Sequence, residues 1–194
     1  MFKEDKVTQA SAIFLEKSGG KMKFIKLIKL IYLTDRAAYA ERGKSVSEDE
    51  YYSMFHGPVP SNTYNLIQYA SDRLIEGSAW INDIKNFGQV WEDYIKDAED
   101  HQVELQNHPK FEALSDYELE LLERIYKEFG EYEAWDLVDH LHEVLPEWDE
   151  VERNSRKDLP IEQILQRGLK KPKSESDKIT RENEIHQKAD ELFA

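Results

Sequence analysis

Apolar positions recur at helical spacing from the start of the chain. Val7, Ala10, Ile13 and Phe14 predict a helix over Val7–Lys17. Gly19-Gly20 ends it, because glycine tolerates the left-handed backbone that a helix stop often takes. A second helix is predicted from Lys21 to about Glu41. Its apolar positions are Met22, Phe24, Ile25, Leu27, Ile28, Leu30, Ile31 and Leu33, which leave polar only the sector of Lys23, Lys26, Lys29 and Arg36. Those four fall within about 140° of the circumference, so the helix is apolar over more than half its surface and belongs at the centre of a bundle. Gly43 stops it. Glu50–Phe55 (EYYSMF) predicts a short aromatic strand. Gly57-Pro58-Val59-Pro60 then predicts a turn, since these residues continue neither a helix nor an inner strand. Ser61 caps a further helix to about Leu74, with Tyr64, Ile67 and Leu74 inward.

Alternation in Val90–Ile95 and in Gln102–Leu105 predicts two strands of a hairpin. Leu114-Ser115-x-x-Glu118 is a capping box, and the helix it opens carries Leu119, Leu122, Ile125, Tyr126 and Phe129 as far as Gly130. Another helix spans Glu133–Val144 with Trp135, Val138, Leu141 and Leu145 on one face, and Pro146 ends it. Pro160 stands at the first turn of a helix, IEQILQRGL. After Gly168 the chain becomes mostly charged, with Ile179, Ile185, Ala189 and Leu192 as a thin apolar stripe. That segment is either a frayed terminus or a helical arm that orders on a partner or on a second copy, giving a homo-oligomer. The expected fold class is mainly α: a compact helical domain over 1–167 with a small β element (a short strand near 50–56, a hairpin near 88–106), then a charged tail or arm over 168–194.

The 194 residues, 40% hydrophobic and 11% aromatic, suffice for a core. There is no run of 18 apolar residues and no signal-like N-terminus, so no membrane association is expected. The absence of cysteine fits a cytoplasmic protein. The net charge of −14 is unevenly spread: residues 92–152 hold 4 Lys/Arg against 21 Asp/Glu, while the flanking segments are nearly balanced. Such a field argues against nucleic acid as the main ligand and would speed encounter with a basic partner. The plainer reading is a well-solvated surface.

Candidate chemistry is sparse. His140 and His142 lie two apart, so on a helix they point about 200° apart and cannot share a metal. His142-Glu143 lacks the second histidine of HExxH, and no phosphate loop, dinucleotide fingerprint or nucleophile elbow occurs. No enzyme activity, cofactor or metal is therefore expected. The lysine stripe has two readings. It could pair with an acidic segment, within this chain or on a partner, or with a nucleic-acid backbone. Alternatively it is the solvated edge of a buried helix, its long stems covering apolar surface. The Tyr51–Pro60 segment either closes the core or offers an extended edge to a partner.

Read in order, these pieces resemble the Panacea domain family, the SocA-like or GepA-like antitoxins often found in phage-associated genes. Lys26-Leu27-Ile28-Lys29-Leu30-Ile31-Tyr32-Leu33-Thr34-Asp35-Arg36 is similar to that family's K-L-x-K-L-x-Y-x-x-D helix. Gly43-Lys44-Ser45-Val46 through Tyr51 to His56-Gly57-Pro58-Val59-Pro60 and Tyr64 is similar to its strand, [YHW]-G-P-V turn and following helix. Trp135-x-Leu137 through His142-Glu143 to Trp148 is similar to a late helix, with Leu141 where the family has a small hydroxyl residue. The resemblance implies an antitoxin that neutralises a cognate protein toxin, expected to be basic, by direct binding and without catalysis. The alternative it implies is an adaptor that delivers a protein to protease machinery, or a regulatory interaction module without its own toxin. Lys26, Leu30, Tyr32, Asp35, His142 and Trp148 are the expected structural signature. Tyr51, Tyr52, His56, Gly57, Pro58, Val59, Pro60 and Tyr64 are the expected partner-binding residues.

Overall fold

The computed structural model describes residues 2–70 and 89–193. Leu74, expected inward on the third helix, lies outside them. The described chain is predominantly helical, with two small three-stranded antiparallel sheets, which is more β structure than a strand and a hairpin.

Helix α1 (Glu4–Lys17) leads through β1 (Lys21–Lys23) into α2 (Phe24–Arg42). The second helix thus begins three residues later than its hydrophobic pattern suggests, because Lys21–Lys23 pair as a strand with β5. α2 is the centre of the molecule and touches α1, both sheets and most of the later helices. Leu27, Ile28, Leu30, Ile31, Tyr32, Ala38 and Tyr39 are all buried on it. Burying each such large apolar side chain contributes about 1.5–3 kcal/mol, which makes this one helix the main source of core stability. Gly43 ends it at φ 69, the left-handed cap its glycine permits.

β2 (Tyr51–Met54) and β3 (Gly57–Pro60) form a hairpin closed by Phe55-His56, in register Tyr51↔Pro60 to Met54↔Gly57. The Gly-Pro-Val-Pro segment is therefore a strand, not a turn. Its prolines lack N–H donors, and β3 is an edge of the sheet order β3-β2-β6, where a missing donor breaks no ladder. β6 (Arg156–Asp158) pairs with the other side of β2. α3 (Ser61–Ala70) follows β3 directly. Its cap is not Ser61: the Asp49 carboxylate accepts from the amides of Asn62 (2.8 Å) and Thr63 (2.9 Å).

α4 (Gln89–Tyr94) replaces the first predicted strand of the 88–106 hairpin, and the true hairpin is β4 (Ile95–Ala98) with β5 (Gln102–Leu105). Trp91 explains the misreading: it is wholly buried on a helix, while Glu4 of α1 accepts from the Val90 and Trp91 amides at 3.1 Å and caps that helix. α5 (Asp116–Phe129) carries the predicted capping box between Ser115 and Glu118. α6 (Ala134–Val144) packs Leu137, Val138 and Leu141 inward, but Trp135 is 55% exposed, contrary to the inward position expected of it. α7 (Ile161–Gln163) widens into a π turn, Ile164–Gly168, and α8 (Lys173–Phe193) closes the chain. Ile179 buries α8 against Gly43, whose carbonyl accepts from Asn183 at 2.8 Å, and Lys3 pairs with Asp190 at 2.6 Å.

Candidate functional site

The signature residues of α2 act as tertiary fasteners. Asp35 is buried and accepts from the Val46 and Ser47 amides (both 2.9 Å), the Ser47 hydroxyl (2.5 Å) and the Tyr51 hydroxyl (3.0 Å). It pins the loop that leads into β2. Burial still pushes its carboxyl up to about 6, despite hydrogen bonds that pull the other way. Asp49, capping α3, is pushed up to about 7 for the same reason. Tyr32 donates to Glu147 at 3.0 Å and Arg36 donates to the same carboxylate at 2.6 Å, so a fully buried glutamate is held by two groups of α2. Arg36 also donates to the Gly168 carbonyl at 3.0 Å. Leu30 is core.

The lysine stripe is not the solvated edge of its helix. Lys23 pairs with Asp100 in the β4–β5 turn, and Lys26 donates to the Gly130 carbonyl at 2.6 Å, closing the end of α5. Lys29, 1% exposed, donates to the Pro58 carbonyl at 2.8 Å. Burial lowers the Lys29 amine to about 7. The reading that pairs the stripe with the acidic segment of this chain holds for Lys23–Asp100 and Arg36–Glu147.

Lys29 sits beneath the hairpin turn. Gly57 there has φ 98, and a Cβ on it would lie 3.1 Å from Lys29 Nζ and 3.5 Å from His142 Nε2. Only glycine provides both the left-handed backbone and the clearance. His142 stacks flat on Trp148 (centroids 4.1 Å apart, 4° between planes), and Trp148 Nε1 donates to the Met54 carbonyl at 3.0 Å. The late helix thereby clamps the hairpin from below. His142 Nε2 is buried without a hydrogen-bond partner among the described residues.

Above this floor lies a groove of about 610 Å³ between the hairpin turn, the start of α2 and the first turn of α6. Phe24, Phe55, His56, Val59, Tyr64 and Trp135 form its apolar and aromatic walls, with Lys29 and Arg153 among its other lining residues. The His56 ring meets Trp135 edge-on at 5.0 Å and Phe55 at 4.9 Å, and the Arg153 guanidinium lies 5.3 Å from the Phe55 ring centre. Desolvation, then the positive charges of Lys29, Arg153 and His142, hold His56 below its usual range. His142 is lowered by burial and by Lys29.

The eight expected partner-binding residues separate. His56, Val59 and Tyr64 line this groove. Tyr51, Gly57, Pro58 and Pro60 are buried, and Tyr51 serves Asp35. Tyr52 faces a different cleft beside α8 and lies under Arg156, 4.3 Å from its ring centre. Trp135, expected inward, and Phe55 and Arg153, with no expected site role, also line the groove. For Trp135 the signal was available: Ala134, Leu137, Val138, Leu141 and Leu145 form a tight stripe, and Trp135 lies about 100° from Ala134 on the wheel.

The helix, hairpin and clamp just described are what a family model for "Antitoxin SocA-like, Panacea domain" matches over residues 27–149. The chain belongs to this Panacea family. The match begins inside α2 and ends just past Trp148, so it takes in the hairpin, Tyr64 and Trp135 of the groove while leaving Phe24, Arg153, α1 and α8 outside. Neither the curated proteins nor the solved structures contain a match to it.

Proposed function

We propose that this Panacea domain protein is an antitoxin that neutralises a cognate protein toxin by binding it directly, without catalysis. The observation that carries the reading is the family match, which takes in the hairpin and α6 sides of the groove, together with the exposed indole of Trp135 at its rim. An exposed tryptophan beside a rigid aromatic wall is the kind of anchor that dominates protein interfaces. Asp136, Asp139 and Glu143 are exposed on the same helix, and Asp116, Glu120 and Glu128 on α5. The α6 carboxylates beside the anchor, on a protein of net charge −14, favour a basic toxin and fast, salt-sensitive association. The phage association expected of the family and a cytoplasmic site of action belong to the same reading.

The test is coexpression with the neighbouring gene. The expected result is a product that arrests growth alone, is rescued by this chain and copurifies with it. A neighbour that is harmless by itself, or that never binds this chain, refutes the proposal. The adaptor alternative rests on α8, which lies outside the matched residues and exposes Ile185 and Leu192. Truncation after Asn183 keeps the Ile179 and Asn183 contacts. If it preserved toxin binding but abolished toxin degradation, delivery to a protease would replace masking as the mechanism.

A further inference from the structure

The charge of the groove is opposite to that of the protein. In a chain of net charge −14, its lining among the described residues includes Lys23, Lys29, His56, His101 and Arg153, against the one carboxylate of Asp100. Asp100 is already paired with Lys23. Two basic groups, Lys29 and Arg153, have no counter-charge among the described residues. The buried Lys29 amine donates one N–H, to Pro58, and when protonated it has two more. Arg153 is exposed and has no carboxylate within ion-pair distance among the described residues; its guanidinium rests near the Phe55 ring. Burial without a partner disfavours the charged form of the Lys29 amine, and an anion in the groove would favour it. The rim supplies the complement: Trp135 is 55% exposed and braced edge-on by His56. At about 610 Å³ the groove falls in the range of small-ligand sites.

We infer that this groove binds a small phosphorylated ligand carrying a planar ring, of the mononucleotide class. Its phosphate accepts from Lys29 Nζ and the Arg153 guanidinium, and its ring packs on the Trp135 indole. A phosphate monoester carries about −1.5 to −2 charge at pH 7, which suits the Arg153 guanidinium together with a Lys29 amine held protonated by the ligand better than a carboxylate does. A nucleic-acid strand is disfavoured, because its further phosphates would run against the exposed Asp136, Asp139 and Glu143 beyond Trp135. This inference is independent of the toxin.

The full-length protein is titrated with AMP and GMP by calorimetry and tryptophan fluorescence, with adenosine and inorganic phosphate as the two half-ligands. Saturable binding tighter than about 1 mM is expected for at least one nucleotide, with each half-ligand at least about tenfold weaker. Arg153→Met removes one phosphate contact at an exposed site, and Trp135→Ala removes the stacking surface; each is expected to weaken binding about tenfold or more. Circular dichroism confirms that both variants fold. Absence of saturable binding overturns the inference. So does binding that neither variant weakens, which would place the nucleotide elsewhere. Phosphate binding as tightly as AMP overturns the ring contact.

Discussion

Lys29→Met tests the physical heart of this fold. Lys29 is fully buried, its amine is lowered from 10.5 to about 7, and the cause is desolvation. A folded state that releases this proton early is stabilised as pH rises: between about 7 and 10.5 the unfolded chain binds the proton and the folded chain does not. The stabilisation is fully present above the unfolded value and is lost as pH falls through the folded one. At about 1.4 kcal/mol per pH unit, the full span is worth roughly 5 kcal/mol. Methionine fills a similar unbranched volume and removes the charge, but it leaves the buried Pro58 carbonyl without its donor, a penalty of about 1–3 kcal/mol. Urea unfolding of both proteins at pH 6, 7, 8 and 9 gives their stability difference at each pH. Asp49, raised to about 7, slopes the opposite way but is common to both and cancels in the difference. The variant is expected to be the more stable protein at pH 6. Its advantage should fall by roughly 2–3 kcal/mol between pH 7 and 9. Two parallel pH profiles would mean that Lys29 keeps its ordinary affinity for a proton, and the account of a desolvated, underpartnered ammonium would be wrong.

Three other outcomes follow from the same geometry. Gly57→Ala forces a Cβ to 3.1 Å from Lys29 Nζ at φ 98 and should lose at least about 1–2 kcal/mol, read as a lowered melting temperature; an unchanged melt would show that the hairpin can shift freely. Gly168→Ala places a Cβ 2.6 Å from Glu147 Oε2 and should push that carboxylate off Arg36 and Tyr32, at about 3–5 kcal/mol for a broken buried pair, measured by urea unfolding. Trp135→Ala should leave stability within about 0.5 kcal/mol, because the indole is 55% exposed, while weakening the toxin complex about tenfold or more in a pull-down or calorimetric titration. Equal toxin affinity would remove the groove from the proposed interface.

What the sequence made legible is what local physics controls. The capping box at Ser115 and Glu118, the glycine stop at Gly43 and the burial of α2 all appear as expected, since each depends on residues within one or two turns. The misreadings came from partners far along the chain. Val90–Ile95 alternates like a strand, yet Glu4 caps it as a helix from 86 residues away. Ser61 has the chemistry of a cap, but Asp49 reaches the same amides first. Grouping Trp135 with Val138, Leu141 and Leu145 puts it inward, but it lies at the edge of that stripe and is 55% exposed.

The polar sector of α2 is the most instructive of these. A helical wheel shows that Lys23, Lys26, Lys29 and Arg36 share a side, but it cannot show whether that side meets water or backbone. Here each cation meets a different connection: the β4–β5 turn at Asp100, the end of α5 at Gly130, the hairpin strand at Pro58, and the π turn at Gly168. Lys23 at the end of β1 and Lys26 and Lys29 on α2, three apart, can fasten three separate elements because each long stem covers apolar surface before its head reaches an acceptor. At all four connections a backbone carbonyl accepts, of Asp100, Gly130, Pro58 and Gly168, which any sequence at those positions would present. The spacing of the cations on α2 therefore carries the information about where the connections land. The head of Lys29 is buried, has donors left over and has a groove above it, so the stripe that holds the fold together also supplies the groove with a buried amine.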